Sequence, residues 1–149
     1  MRLMVVLLMR KKVTINTQGQ HCAAVATDRG EGTITATSST LNTNGKGSPC
    51  VYSTGNITVS NSKGLATNSS CAVIEGKNSI TLNSSKLTSY GLGRTDDGID
   101  NCGVMIYQSM SGDADTGTGT FTSKNSALTI SKKSSAYKTS PMFFITVMK

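Results

Sequence analysis

The chain repeats one local pattern along most of its length, and this repeat constrains the fold more than any other feature. A short apolar run is followed by a turn, then by a Thr-alternating strand, and then by a third short strand. Such units recur about 20 to 30 residues apart, a period typical of solenoid proteins. The apolar runs are CAAVAT at 22–27, CVYST at 50–54, CAVIEG at 71–76, CGVMIY at 102–107 and PMFFIT at 141–146.

The second strand of each unit alternates apolar and polar residues. GTITAT, NITVS and SITLN each place an apolar residue at every second position, which is typical of a strand with one buried face. Ile57 aligns with Ile80, and Thr58 aligns with Thr81, so we expect the isoleucines to stack inward and the threonines to point outward. We predict an all-β chain that forms a right-handed parallel β-helix with three strands per coil and about four to five coils.

The amino-acid composition limits the classes of partner that the chain is expected to bind. Only 36% of the residues are hydrophobic, there is no Trp, and the formal net charge is +7. A basic balance is compatible with nucleic-acid binding. The aromatic platforms on which single-strand binders stack bases are missing, however, so we expect no nucleic-acid partner.

The first twelve residues and the rest of the chain lead to different predictions. Residues 1–12 are apolar and then basic, and two interpretations stay open: an atypical leader, or the first solenoid strand. Their apolar run is too short to span a bilayer, so we expect no membrane span. Residues 13–149 are predicted to form the β-helix domain, truncated at the C-terminus as a fragment of a longer protein. Open coil ends expose strand edges that allow end-to-end self-association.

A cysteine opens four of the apolar runs, and a methionine takes its place in the fifth. These residues are Cys22, Cys50, Cys71, Cys102 and Met142. Four cysteines in an exported protein invite disulfides, but parallel Cβ vectors in one column suit a bridge poorly. We therefore expect a structural column of buried thiols. His21 is expected to face solvent rather than to activate its neighbour Cys22, because sequence neighbours on a strand point to opposite faces.

Two acidic loops, TDDGIDN at 95–101 and SGDADTG at 111–117, interrupt the fourth unit. Calcium prefers six to eight oxygen ligands from carboxylates and carbonyls. Two interpretations stay open: solvated turn aspartates, or a calcium site on one side of the coil. The ligands of that site would be Asp96, Asp97, Asp100, Asp113 and Asp115. Calcium is the one cofactor that the sequence suggests.

The segments GKGSPCVYSTGNITVSNSKG and CGVMIYQSMSGDADTGTGTF, at 45–64 and 102–121, resemble adhesin-like right-handed parallel β-helix proteins of gut and other anaerobic bacteria. These proteins are often labelled carbohydrate-binding. The resemblance covers about residues 13–147. It implies a secreted or cell-surface location and a structural or recognition role, with glycans or host surface polymers as partners.

A flank rich in Ser, Thr and Asn offers many hydrogen-bonding groups without a closed pocket, which favours extended polymers over small ligands. We therefore expect a non-enzymatic recognition module with no catalytic residues. The alternative is a fragment of a carbohydrate-active enzyme, a polysaccharide lyase or glycoside hydrolase, that uses the loops at 94–115. Hydrolases need paired carboxylates, and Arg94 lies beside Asp96 and Asp97 in these loops.

Overall fold

The computed structural model describes residues 7–28, 32–90, 103–108, 114–131 and 145–148, with side chains at 12–28, 32–90, 103–108 and 114–130. Every regular element in this part of the chain is a β-strand. The strands lie in three parallel sheets. The predicted all-β parallel β-helix with three strands per coil is therefore confirmed.

The strands follow one another in triplets, and each triplet forms one coil. The first two coils consist of β1 (Leu7–Lys11), β2 (Thr14–Thr17), β3 (Val25–Ala26), β4 (Thr33–Thr37), β5 (Thr40–Thr43) and β6 (Val51–Ser53). The third and fourth consist of β7 (Asn56–Ser60), β8 (Lys63–Ala66), β9 (Ala72–Glu75), β10 (Ser79–Asn83), β11 (Lys86–Tyr90) and β12 (Val104–Tyr107). The last consists of β13 (Thr120–Lys124), β14 (Ala127–Ser131) and β15 (Ile145–Met148).

Each strand pairs with the strand three elements further along the chain. Sheet A contains β1, β4, β7, β10 and β13; sheet B contains β2, β5, β8, β11 and β14; sheet C contains β3, β6, β9, β12 and β15. Neighbouring strands of a sheet are about 4.7–4.9 Å apart, so one coil adds about that much to the height of the stack. Inner strands thereby satisfy their backbone groups on both sides.

The interior is built from columns of apolar side chains, one residue from each coil. In sheet A, Ile34 pairs with Ile57, Ile57 with Ile80, and Ile80 with Phe121. Ile57 and Ile80 are 1% and 0% exposed, which confirms that this column faces inward. No coil could bury this column alone, because each isoleucine is covered by those above and below it.

Sheet B contains a column of leucines that one glycine interrupts. Gly64 pairs with Leu41 on one side and Leu87 on the other. A Cβ at Gly64 would lie 2.6 Å from Leu87 Cδ2, 2.9 Å from Cys50 Sγ and 3.1 Å from the Leu41 carbonyl oxygen. The space beside Gly64 is therefore filled by Leu87 and by the buried thiol of Cys50.

The outer face of sheet A presents a column of threonines. Thr35 pairs with Thr58, Thr58 with Thr81, and Thr81 with Thr122. All four side chains are half-buried. Threonine is a good strand former whose hydroxyl tolerates water, so this column continues the alternation that places the isoleucines inside.

Candidate functional site

The corner between sheets A and B has the same backbone geometry in every coil. One residue per coil has positive φ: Lys12 at 53°, Ser38 at 54°, Asn61 at 50°, Ser84 at 46° and Asn125 at 48°. This conformation is uncommon for residues other than Gly, and Asn adopts it more readily than most. Each of these side chains is exposed. The corner therefore turns the chain sharply and directs one polar residue per coil to solvent.

The next residue along the corner forms a buried ladder of serines. The backbone N–H of Ser39 donates to Ser62 Oγ at 2.9 Å, that of Ser62 to Ser85 Oγ at 3.1 Å, and that of Ser85 to Ser126 Oγ at 3.0 Å. Each hydroxyl in turn donates to the carbonyl two residues before it, as Ser62 does to Ser60 at 2.8 Å. The serine hydroxyls are thus used within the fold and brace one coil against the next.

An open groove runs along this corner, across four coils. Its volume is about 680 Å³, and its lining consists of Ser38, Ser39, Thr40, Asn61, Ser62, Lys63, Ser84, Ser85, Lys86, Asn125, Ser126 and Ala127. We call it the corner groove. A shallower depression of about 310 Å³ on sheet B shares Thr40, Lys63 and Lys86 with it. Within the described part of the chain, the side chains of Ser38, Asn61, Ser84 and Asn125 have no hydrogen-bond partner, so their polar groups are open to a ligand.

Two lysines give the corner groove its charge. Lys63 and Lys86 pair across adjacent strands β8 and β11, and both side chains are exposed. Neither forms an ion pair or side-chain hydrogen bond with the residues that the structure describes. Among the residues that the structure describes, no Asp or Glu lines the groove. The groove is therefore a polar surface with an uncompensated positive centre.

A different polar cluster lies on sheet C. Tyr52 Oη donates to Glu75 Oε2, Tyr107 Oη donates to the same oxygen at 3.1 Å, and the two phenol oxygens are 3.0 Å apart. Glu75 is only 2% exposed, and its Oε1 has no hydrogen-bond partner. Burial, reinforced by the hydrogen bonds to Glu75 and Tyr107, raises the pKa of Tyr52 above its ordinary value. We call these three residues the tyrosine–glutamate cluster.

The cysteines predicted to form one column are not all equivalent. Cys50 and Cys71 are free, buried and 0% exposed, and they immediately precede the paired residues Val51 and Ala72. Cys22 is exposed instead, so the prediction was wrong for this residue. Since Val25 pairs with Val51, the position equivalent to Cys50 belongs to the residue just before Val25, which is an alanine.

The next strand pair shows which residue follows Cys71 in the predicted column. Because Ala72 pairs with Val104, Gly103 occupies the position equivalent to Cys71. Cys102 and Met142 themselves lie outside the described residues. Burial raises the pKa of Cys71 to about 12 and raises the pKa of Cys50 as well, which makes both thiols poor nucleophiles.

The acidic loops are described only in part. Asp96, Asp97, Asp100 and Asp113 lie outside the described residues, as does Arg94. Asp115 is exposed, and its carbonyl oxygen accepts a hydrogen bond from the Lys77 N–H at 2.9 Å. Among the residues with described positions, no group of three His, Cys, Asp or Glu side chains could hold a metal ion. The calcium site remains a prediction.

His21 is exposed, and its backbone N–H donates a hydrogen bond to the Lys46 carbonyl oxygen at 3.1 Å.

Sequence reasoning missed the corner groove and the tyrosine–glutamate cluster. The groove has a recognisable signal: the short stretches TSST, SNSK, NSSK and KNSA each place a serine at their third position, at the same corner of successive coils. The cluster has no such signal. Tyr107 pairs directly with Glu75 on the adjacent strand, whereas Tyr52 pairs with Val73 and reaches Glu75 diagonally, so the cluster joins residues of three coils.

Fold and groove together define a parallel β-solenoid with an open, polar and basic corner. Comparison with protein-family models, curated proteins and solved structures found no match for this chain. No helix in the described ranges has the length and apolar character needed to cross a bilayer.

Proposed function

We propose that this β-helix is a non-enzymatic recognition module of a secreted or cell-surface protein that binds an extended glycan along the corner groove. One observation carries the proposal. Each of four successive coils presents an exposed hydroxyl or amide that no protein group engages among the residues the structure describes, along a groove of about 680 Å³ that is open to solvent. A ligand that repeats along its length can meet the same kind of contact in every coil.

The chemistry of the groove suits a carbohydrate. Sugars carry hydroxyls that both donate and accept, and the uncommitted groups of Ser38, Asn61 and Ser84 can do the same. The serine ladder beneath them is braced coil to coil, so the contact surface is rigid before the ligand arrives. Preorganisation of this kind lowers the entropic cost of binding.

The test is glycan binding by variants that preserve the backbone. Asn61→Gly and Asn125→Gly keep the positive φ, which glycine adopts without strain, and remove only the amide. We expect the double variant to bind a glycan selected on an array about tenfold more weakly, since two hydrogen bonds of about 0.5–1.5 kcal/mol each are lost. Isothermal calorimetry measures the effect.

Thr81→Ala is the matched control, because it removes a polar group from the outer face of sheet A, away from the groove. Its affinity should equal that of the unmodified protein. Binding that is insensitive to both glycine substitutions, or release of shortened sugars from the bound glycan, contradicts the proposal. The second outcome supports the enzyme alternative.

A further inference from the structure

We propose that the ligand of the corner groove is an acidic polysaccharide whose carboxylate or sulfate groups pair with Lys63 and Lys86. This inference rests on the proposed glycan-binding function and names the class of glycan. It starts from the register of sheet B, which places two ammonium groups on adjacent coils of the same face.

The two lysines are arranged unfavourably for the protein alone. Lys63 and Lys86 lie directly opposite each other on strands about 4.8 Å apart, and like charges at directly opposite positions of a sheet are destabilising. Neither lysine has a carboxylate partner among the described residues. A bound anion that contacts both side chains would remove this repulsion and replace it with two charge-assisted hydrogen bonds, which are stronger than neutral ones.

Further lysines extend the positive surface toward both ends of the corner. Lys12 has the same positive φ as Ser38 and lies in the first coil, and Lys124 immediately precedes Asn125 in the last coil. Both are exposed. The four lysines thus lie along one edge in four of the five coils, and none of the acidic residues that the structure describes, Asp28, Glu75 and Asp115, lies in the groove lining.

The repeat of the coils also matches the repeat of a sugar chain. One coil rises by about 4.8 Å, which is close to the length that one ring adds to an extended glycan. A glycan with an acidic group on successive or alternate rings would present its charges at the spacing of the lysines. Lysine side chains are flexible, so they can adjust to the remaining difference between the coil spacing and the spacing of the acidic groups.

A nucleic acid would satisfy the charge but not the surface. Single-stranded nucleic acids bind mainly through bases stacked on aromatic side chains beside a basic groove. No aromatic residue of the described ranges lines the corner groove, and Tyr52 and Tyr107 are engaged with Glu75 on sheet C. The uncommitted hydroxyls and amides favour a polysaccharide.

The experiment compares charged and neutral forms of the same polymers. The probes are polygalacturonate against its methyl ester, and dextran sulfate against dextran, with the full chain at low and high salt. We expect each charged form to bind at least about tenfold more tightly than its neutral counterpart. Added salt should weaken that binding, because exposed charges are screened.

Lysine variants locate the effect. Lys63→Gln and Lys86→Gln should each weaken binding of the preferred charged probe several-fold and reduce its salt dependence. Lys77→Gln is the matched control: it removes the same charge from an exposed lysine outside the groove, and it should leave affinity unchanged.

Each other result has a definite meaning. If neutral and charged forms bind equally and the groove variants Asn61→Gly and Asn125→Gly weaken both, glycan recognition stands and the acidic class is wrong. If no polymer binds, both proposals fail. If a single-stranded oligonucleotide of equal charge binds more tightly than either polysaccharide, the ligand is a nucleic acid and this inference is overturned.

Discussion

The corner groove and the tyrosine–glutamate cluster are both polar, but they are built in opposite ways. At the corner, the same kind of residue recurs coil after coil, and the buried serines satisfy each other's backbone. On sheet C, the cluster occurs once, and Glu75 Oε1 is left without a partner. Among the described residues, the repeated corner therefore has no buried side-chain N or O atom without a hydrogen-bond partner, whereas the single cluster retains one.

This difference predicts which polar contacts the stability of the fold depends on most. Hydrogen bonds to a charged group are worth about 1.5–3 kcal/mol, and neutral ones about 0.5–1.5 kcal/mol. Loss of a phenol beside a buried carboxylate should therefore cost more than loss of one serine from a ladder, even though the ladder is longer.

The largest effect is expected for Tyr52→Phe. It removes one of two donors to Glu75 Oε2, so the carboxylate keeps only Tyr107. We expect the free energy of unfolding to fall by about 2 kcal/mol, as measured by urea denaturation at neutral pH. Tyr90→Phe is the control, because the half-buried Tyr90 is at the end of β11 and outside the cluster. Equal stability of the two variants would show that the cluster is not a stabilising contact.

A smaller effect is expected for Ser62→Ala. This substitution leaves the buried N–H of Ser39 without its acceptor, at a cost of about 1–2 kcal/mol. Ser39→Ala is the matched control, because the Thr37 carbonyl that it abandons still accepts the Lys12 N–H at 3.0 Å. The same urea experiment compares them. If Ser39→Ala is the more destabilising of the two, the ladder does not act through serine hydroxyls that accept backbone N–H groups.

Alkaline pH should separate the two regions further. Burial raises the pKa of Cys71 from 9.0 to about 12 and also raises the pKa of Tyr52. A group whose pKa is higher in the folded protein stabilises it fully below the unfolded pKa, and that contribution is lost as pH rises toward the folded value. Unfolding should therefore become easier from about pH 9 upward.

The serine ladder contains no titratable group, so the alkaline loss of stability comes from the buried thiols and from Tyr52. We expect Tyr52→Phe and Cys71→Ala each to flatten the decline of the melting temperature above pH 9, as the pH rises from the ordinary pKa of a thiol toward the raised pKa of Cys71 at about 12. Ser62→Ala should be less stable at every pH but decline in parallel with the unmodified protein. A flattened curve for Ser62→Ala would contradict this assignment.

The smallest effect concerns Lys63→Gln. Removal of one of two adjacent like charges should raise the free energy of unfolding by about 0.2–1 kcal/mol at low salt, and the gain should shrink as salt screens the pair. Thermal denaturation at two ionic strengths measures it. A stability gain from a variant that binds more weakly would show that the lysine pair is retained for recognition. A loss of stability at low salt would contradict the repulsion.

The sequence predicted the fold through features that are local and periodic. The strand Ser79–Asn83 coincides with the predicted SITLN, and the alignment of Ile57 with Ile80 is the register that the structure shows. Alternation of apolar and polar residues sets which side of a strand is buried, and five residues of sequence are enough to show this alternation. The period of the units determines that the strands stack in parallel.

The cysteine column shows where local reasoning ends. The apolar runs were aligned on their first residue, which makes Cys22 equivalent to Cys50. The actual register depends on how the residues between the strands fill the corner, and it places an alanine opposite Cys50 and leaves Cys22 exposed. Register between coils is decided by packing over long sequence distances, which a local pattern does not encode.

The amino-acid sequence by itself determined the three-strand repeat, the parallel β-helix and the inward columns of isoleucine, because each follows from periodicity along a single coil. Only the tertiary structure decided that the corners of four coils line up into one groove, that Lys63 and Lys86 become neighbours, and that Tyr52 reaches Glu75. Those contacts join residues more than 20 positions apart in the chain. They exist because coil stacking, driven by burial of the shared apolar interior, brings separate coils into a common register.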